Sequence, residues 1–210
     1  MRANEPYNLE IIFYIDEDDK ESIDRLTYMK GPYIHVDAVI GPRILMAEMT
    51  NKAYELADGE IVMFAGDDII FQTKGWDDKV REEFNKYEDK ILFVYGMDGI
   101  QPPSFGTHGF LHRNWINTLG YVVPPYFVSD YCDTWINEVA DLIGRKHYID
   151  IFTEHLHFSV GKAPIDQTTI DRLQRHKANQ VENLYASLKD ERIKDAEKLK
   201  SFISSFSNKV

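Results

Sequence analysis

The chain has 210 residues, 43% hydrophobic and 28% charged, a composition that suits one globular domain whose core needs no disulfide or metal staple. With 24 Lys and Arg against 35 Asp and Glu, the formal net charge is −11, which argues against non-specific attachment to a nucleic-acid backbone. The single Cys132 excludes an intrachain disulfide and fits a reducing cytoplasm; no apolar run nears the ~20 residues of a membrane span, and the N-terminus lacks a signal-peptide core.

Taken in chain order, Leu9 to Ile15 is a β-branched and aromatic run that predicts a buried strand ending in Asp16-Glu17-Asp18-Asp19. Ile23, Leu26 and Met29 then recur at helical spacing, stopped by Gly31-Pro32. Tyr33 to Ile40 predicts a second strand, and Leu45, Met49, Ala53 and Leu56 mark one face of a helix closed by Asp58-Gly59. Glu60 to Ala65 predicts a third strand running into Asp67 and Asp68; Trp76, Val80, Phe84 and Tyr87 follow as an amphipathic helix, and Ile91 to Tyr95 as a fourth strand. Strands alternating with helices of this length imply crossover connections, hence an α/β fold with a mainly parallel sheet flanked by helices. Gly96 to Pro125 is rich in Gly, Pro and aromatics, with room for two short helices at most, and a further helix is expected from Asp133 to Ile143. Beyond Pro164 the composition turns polar, and Val181 to Leu199 predicts a long charged helix. The expected organisation is a domain over residues 1–165 and a helical extension over 166–210, which either covers the domain or pairs with a second chain as a homodimer.

In open α/β sheets ligands bind beyond the carboxyl ends of the strands, so the acidic clusters at Asp16–Asp19 and Asp67–Asp68 are expected on one edge of the sheet. Two carboxylates about 4 Å apart repel by roughly 4 kcal/mol at an effective dielectric of 20, a strain that a divalent cation relieves. Hard oxygen donors suit Mg²⁺ or Mn²⁺, which keep positions open for substrate phosphates. The alternative for Asp16–Asp19 is a solvated cap. Asp67 and Asp68 stand between apolar runs, where an unpaired carboxylate is rare. Downstream, Glu154-His155-Leu156-His157 alternates like a strand and sets His155 and His157 on one side, as interior residues or as a third ligand. Arg43 offers a fork of donors suited to a phosphate or to a surface salt bridge. Trp115, Tyr126 and Trp135 read as core, or as platforms for a sugar face.

Gly41-Pro42-Arg43, Asn51-Lys52-Ala53 and the run Ala57-Asp58-Gly59-Glu60 through Gly66-Asp67-Asp68 resemble the central signature of family 2 glycosyltransferases of the GT-A fold. His108-Gly109-Phe110, Leu119-Gly120-Tyr121, Asp133-Thr134-Trp135 and His155 follow in the family's order, so the likeness spans roughly residues 9 to 160. The resemblance implies a metal-dependent, inverting transfer of a sugar from a nucleotide-diphosphate donor to an acceptor hydroxyl. It places Asp16 or Asp18 against the nucleotide base, Arg43, Asn51 and Asp67 in the nucleotide-sugar site, and Mn²⁺ or Mg²⁺ on Asp68, Asp67 and His155. Asp133 becomes the catalytic base, with Asp130 as its substitute or as a helix cap. The motif departs from the family's Asp-x-Asp at Gly66. The family's opening strand, turn and helix have no counterpart before Leu9, so Met1 to Glu5 is expected to be the end of that helix in a chain that starts late, through a mis-assigned start or a truncation. A nucleotidyltransferase and a non-catalytic carbohydrate- or nucleotide-binding module on a degenerate scaffold are the competing readings.

Overall fold

The computed structural model describes residues 2–29 and 31–207. Its elements in chain order are β1 (Glu10–Asp16), α1 (Lys20–Met29), β2 (His35–Gly41), α2 (Met46–Tyr54), β3 (Ile61–Phe64), β4 (Ile69–Phe71), α3 (Trp76–Asn85) and β5 (Phe93–Met97). They continue with β6 (Gly109–His112), α4 (Arg113–Leu119), α5 (Cys132–Ile143), β7 (Lys146–His155), α6 (Gln167–Ala178), α7 (Val181–Ser187) and α8 (Lys189–Ser207).

The class is α/β, but the sheet is mixed. β1 and β2 pair in parallel, from Glu10 against His35 to Asp16 against Gly41, as a two-stranded sheet of their own. The other five strands lie in the order β3-β6-β5-β7-β4; β5 and β7 are parallel, while β3–β6, β5–β6 and β4–β7 are antiparallel. A mainly parallel sheet is therefore corrected. Strand β6 returns within the Gly- and Pro-rich stretch, and β4 is three residues long, too short to show a period. The Glu10 side chain ties β1 to the turn before β3: its Oε1 accepts hydrogen bonds from Asp58 N at 2.8 Å and Gly59 N at 2.5 Å.

The strand period of two sorts the core. Ile91, Phe93 and Tyr95 face α5 and α8 together with Leu111, while Leu92 and Val94 face Val80 and Phe84 of α3 together with Phe110 and Ile151. Trp115 and Trp135 are both buried in the first cluster. Val181, Ala196 and Leu199 belong to that same cluster, so α7 and α8 close the core of their own chain, and the apolar face of α8 is already covered. No helix among the described residues is long and apolar enough to cross a membrane.

Residues Arg2 to Glu5 are not helical, contrary to the expectation for Met1 to Glu5; Met1 lies outside the described residues. They clasp the start of α3 instead: Gly75 N donates to Arg2 O at 2.6 Å, and Asn4 N and Glu5 N donate to the buried Asp77 carboxylate at 2.9 and 3.0 Å.

Gly96 allows a close approach of strand backbones. A β-carbon there would stand 2.3 Å from the carbonyl oxygen of Ile151, where the β5–β7 register shifts between Tyr95 and Met97. We expect Gly96→Ala to destabilise the fold by about 1–3 kcal/mol, the usual penalty for overpacking, read as a lower midpoint in urea unfolding; an unchanged midpoint would show that the two strands can separate freely.

Candidate functional site at the end of the five-stranded sheet

Four strand ends meet at one edge. β3 runs out into Gly66-Asp67-Asp68, β5 into Asp98 and β7 into His155, while antiparallel β6 begins just after His108. The pairing of β4 with β7 sets Ile69 against His155, and Leu156 N donates to Asp68 O at 2.7 Å. This register carries the Asp68 side chain to His155, with Oδ2 lying 3.0 Å from Nε2. His155 N also donates to Asp98 O at 3.0 Å, so its backbone is held from both neighbouring strand ends.

The surroundings of His155 are dry on one side and open on the other. Its side chain is 13% exposed and that of Asp68 37%. The His108 ring stands edge-on to that of His155 at 4.7 Å, and the His157 ring lies 5.0 Å away. His108 is buried, its Nε2 has no hydrogen-bond partner, and burial together with the His155 charge pushes its pKa down to about 4. It is therefore a neutral imidazole at ordinary pH. Burial also lowers the pKa of His157, whose ring caps the short 3-10 turn Phe158–Val160 by accepting from Ser159 N. Asp98 is buried too: its Oδ1 accepts from Ile100 N and Gln101 N, and its Oδ2 from Thr107 Oγ1, each at 2.8 Å.

A carboxylate and an imidazole are donor types that Mg²⁺ and Mn²⁺ accept. Asp68 Oδ2 and His155 Nε2, 3.0 Å apart, are joined directly by a hydrogen bond. Asp67 is exposed on the turn, and no group of three His, Cys, Asp or Glu side chains among the described residues is arranged to hold a metal. Two protein donors leave positions for water and phosphate oxygens, the usual manner of Mg²⁺ and Mn²⁺ at phosphate sites.

The second acidic cluster follows β1. Asp16 Oδ2 accepts from Arg43 Nε at 2.7 Å, and Asp16 Oδ1 is buried with no hydrogen-bond partner. The Arg43 pKa is raised, first by the hydrogen bond to Asp16, then by the charges of Asp16 and Asp18, and to a smaller degree by Asp171 on α6. Of the two roles expected for Arg43, the structure shows the salt bridge. Asp18 is exposed, and Asp19 accepts from Ser22 N and Oγ at the start of α1. Asn51 is engaged structurally: its Oδ1 accepts from Val122 N and Val123 N, and its Nδ2 donates one of its two N–H groups to Val123 O at 2.9 Å.

Asp130 and Asp133 flank Tyr131, which has a left-handed backbone with φ 78° at the N-terminus of α5. The Asp133 carboxyl is raised in pKa, first by burial, and its Oδ1 accepts only from Thr134 N at 2.7 Å and Thr134 Oγ1 at 3.4 Å. Asp130 does not cap α5. Its Oδ1 takes Arg172 Nη1 and its Oδ2 takes His176 Nδ1 at 2.7 Å, both from α6. The contacts of Asp130 thus run to Arg172 and His176 of α6. Asp98 was not anticipated, although it obeys the same rule as the other clusters, a carboxylate at the carboxyl end of a strand. The family resemblance touched His108 only as part of a loop.

Neither the family models nor the curated proteins with which the chain was compared give a match.

Helix α6 has no buried residue and lies beside this edge, with Arg172 and Asp130 near enough to influence His157. Its main anchor is the Asp130 group, in which His176 Nε2 also meets Glu182 Oε1 at 2.8 Å. The His176 pKa is raised, chiefly by its Glu182 hydrogen bond and then by Asp130. A raised value means that the protonated ring's contribution is complete below the ordinary histidine pKa and is lost as pH rises through the folded one. Limited proteolysis should therefore cut the 161–180 segment faster at pH 8.5 than at pH 6, and His176→Gln should remove most of that difference. Equal rates in the wild-type protein would show that α6 is held by other means.

Proposed function

We propose that the protein is a metal-dependent glycosyltransferase with a GT-A-like site, moving a sugar from a nucleotide-diphosphate donor to an acceptor hydroxyl. The observation that carries the reading is the 3.0 Å approach of Asp68 and His155, 87 residues apart, at a strand-end edge. Support comes from the orphaned, buried Oδ1 of Asp16 and from the burial-raised carboxyl of Asp133.

In this reading Asp68 and His155 hold Mn²⁺ or Mg²⁺, with exposed Asp67 reaching the site through water or substrate. The bound cation's chemistry is to neutralise charge gathering on the leaving diphosphate. Asp16 Oδ1 accepts a hydrogen bond from the nucleotide base, oriented by Arg43 on its other oxygen. Asp133 takes the proton of the acceptor hydroxyl; a carboxyl lifted above its ordinary value is a better general base near neutral pH, and such a group contributes about 10²–10⁴ in rate. One displacement opposite the leaving group inverts the anomeric centre. Neutral His108 and the main chain of Asp98 keep the metal-facing His155 ring in place.

A second reading, a nucleotide-sugar-binding module without turnover, is favoured by the engagement of Asn51 in the fold and by the exposure of Asp67. One experiment separates the two. In a thermal-shift series with UDP-, GDP- and dTDP-sugars, a rise in melting temperature needing both nucleotide and Mn²⁺ is expected for the wild-type chain and is lost in Asp68→Asn and His155→Ala. Asp133→Asn should keep the shift while lowering metal-dependent donor turnover by about 10²–10⁴. Binding without any turnover would favour the module, and no shift with any nucleotide would end both readings.

A further inference from the structure

Buried Asn137 on α5 grips one peptide group of the loop that leaves β5. Its Oδ1 accepts from Gly106 N at 3.0 Å, and its Nδ2 donates to Gly106 O at 2.8 Å and to Asp133 O at 2.9 Å, so both amide N–H groups are in use. The gripped end of the loop packs tightly on the sheet: a β-carbon at Gly106 would stand 2.6 Å from Cγ of Tyr95 and 2.8 Å from Cζ of Phe93. The next two residues reach the strand-end edge, Thr107 through its 2.8 Å hydrogen bond to Asp98 and His108 through its ring, 4.7 Å from that of His155. We propose that Asn137 is a positioning residue: its two-point hold on Gly106 fixes the first turn of α5, and with it the Asp133 carboxyl, against the edge at Asp68 and His155. The inference rests on the reading of Asp133 as the base and adds to it what sets that base in place.

An amide at this position supplies direction. Trp135, Ile136, Val139 and Ala140, the neighbours of Asn137 on α5, are buried and apolar, and an apolar side chain at 137 would suit that packing. Apolar burial is non-directional, whereas two opposed hydrogen bonds to one peptide group fix distance and orientation together. The first turn of α5 needs such a hold. It has no side-chain cap, and it begins at Tyr131, whose left-handed φ of 78° is strained for a bulky residue and persists only where the surroundings over-determine it. A base acts only within hydrogen-bond reach of the proton it takes, and a displacement of about 1 Å can cost roughly 10²-fold in rate.

The test compares Asn137→Leu with Tyr95→Phe in the full chain. The second variant loses the 2.9 Å bond from Tyr95 Oη to Pro103 O in the same loop and leaves the hold on Gly106 intact. The first readout is the ¹³C titration of the Asp133 carboxyl carbon. Its midpoint, raised in the wild-type chain first by burial, should fall toward the ordinary aspartate value in Asn137→Leu as water reaches the loosened turn, and stay in place in Tyr95→Phe. An unchanged midpoint in Asn137→Leu, or an equal fall in both variants, would overturn the inference. A loss of stability by itself does not move this midpoint in the folded fraction. The second readout is turnover of UDP-glucose, GDP-mannose and dTDP-glucose with Mn²⁺. Asn137→Leu should lower kcat about 10²-fold per folded molecule with an unchanged donor KM, and a wild-type kcat would again overturn the inference. Turnover of none of the three by the wild-type chain counts against the transferase reading, and the titration then decides the inference alone. Should Asn137→Leu not fold, amide hydrogen exchange of the wild-type chain decides it: Gly106 N–H is expected to exchange as slowly as the α5 amides, and exchange as fast as that of exposed Ser104 would overturn the proposal.

Discussion

The three-residue pairing of β4 with the end of β7 is the constraint on which the candidate site depends. A slip of one residue would turn Asp68 or His155 to the opposite face of the sheet, because strand side chains alternate. Several contacts pin the register. Gln72 N donates to Phe152 O, Phe152 N donates to Thr73 Oγ1, and Gln72 Nε2 donates to Glu154, while Phe71 stacks on Trp76 with ring centres 3.9 Å apart. A strand too short to be stable alone is thus held by side chains at its exit and by the helix that follows.

Charge is distributed unevenly around this edge. Asp16 has Arg43, and Asp130 has Arg172 and His176. Asp67 and Asp68 have no Lys or Arg partner among the described residues, and His155 is the neighbour of Asp68. In a chain of net charge −11, Asp68 is thus paired with a histidine, where Asp16 and Asp130 each have an arginine.

The C-terminal segment divides into a rigid part and a loosely held one. Asp195 of α8 is buried and accepts from Tyr121 Oη and Trp135 Nε1, while buried Arg192 lies over the Tyr185 ring at 3.9 Å. These contacts and the buried Leu199 lock α8 to α5 and α4. Helix α6 has none of this: it buries no residue, and Ile170 and Leu173 stay exposed. Few buried apolar contacts mean a low local opening free energy, so the part of the extension nearest the site is also the part least tied down.

Most of what the sequence alone determined is local. The unbroken apolar run Ile91–Tyr95 specifies a strand, and the four-residue spacing from Trp76 to Phe84 a helix with one buried face, because each side chain's direction follows from its own backbone period. The acidic strand ends at Asp16 and Asp67–Asp68 were visible for the same reason. Periodicity carries no information about which strand lies beside which, so the mixed order β3-β6-β5-β7-β4, the meeting of Asp68 with His155 and the arrival of Asp98 behind that ring were decided by the tertiary structure. The roles of Asn51, Arg43 and Asp130 were decided there too, since a polar side chain bonds to whatever partner packing brings within about 3 Å, and their partners lie from 27 to 72 residues away in the chain.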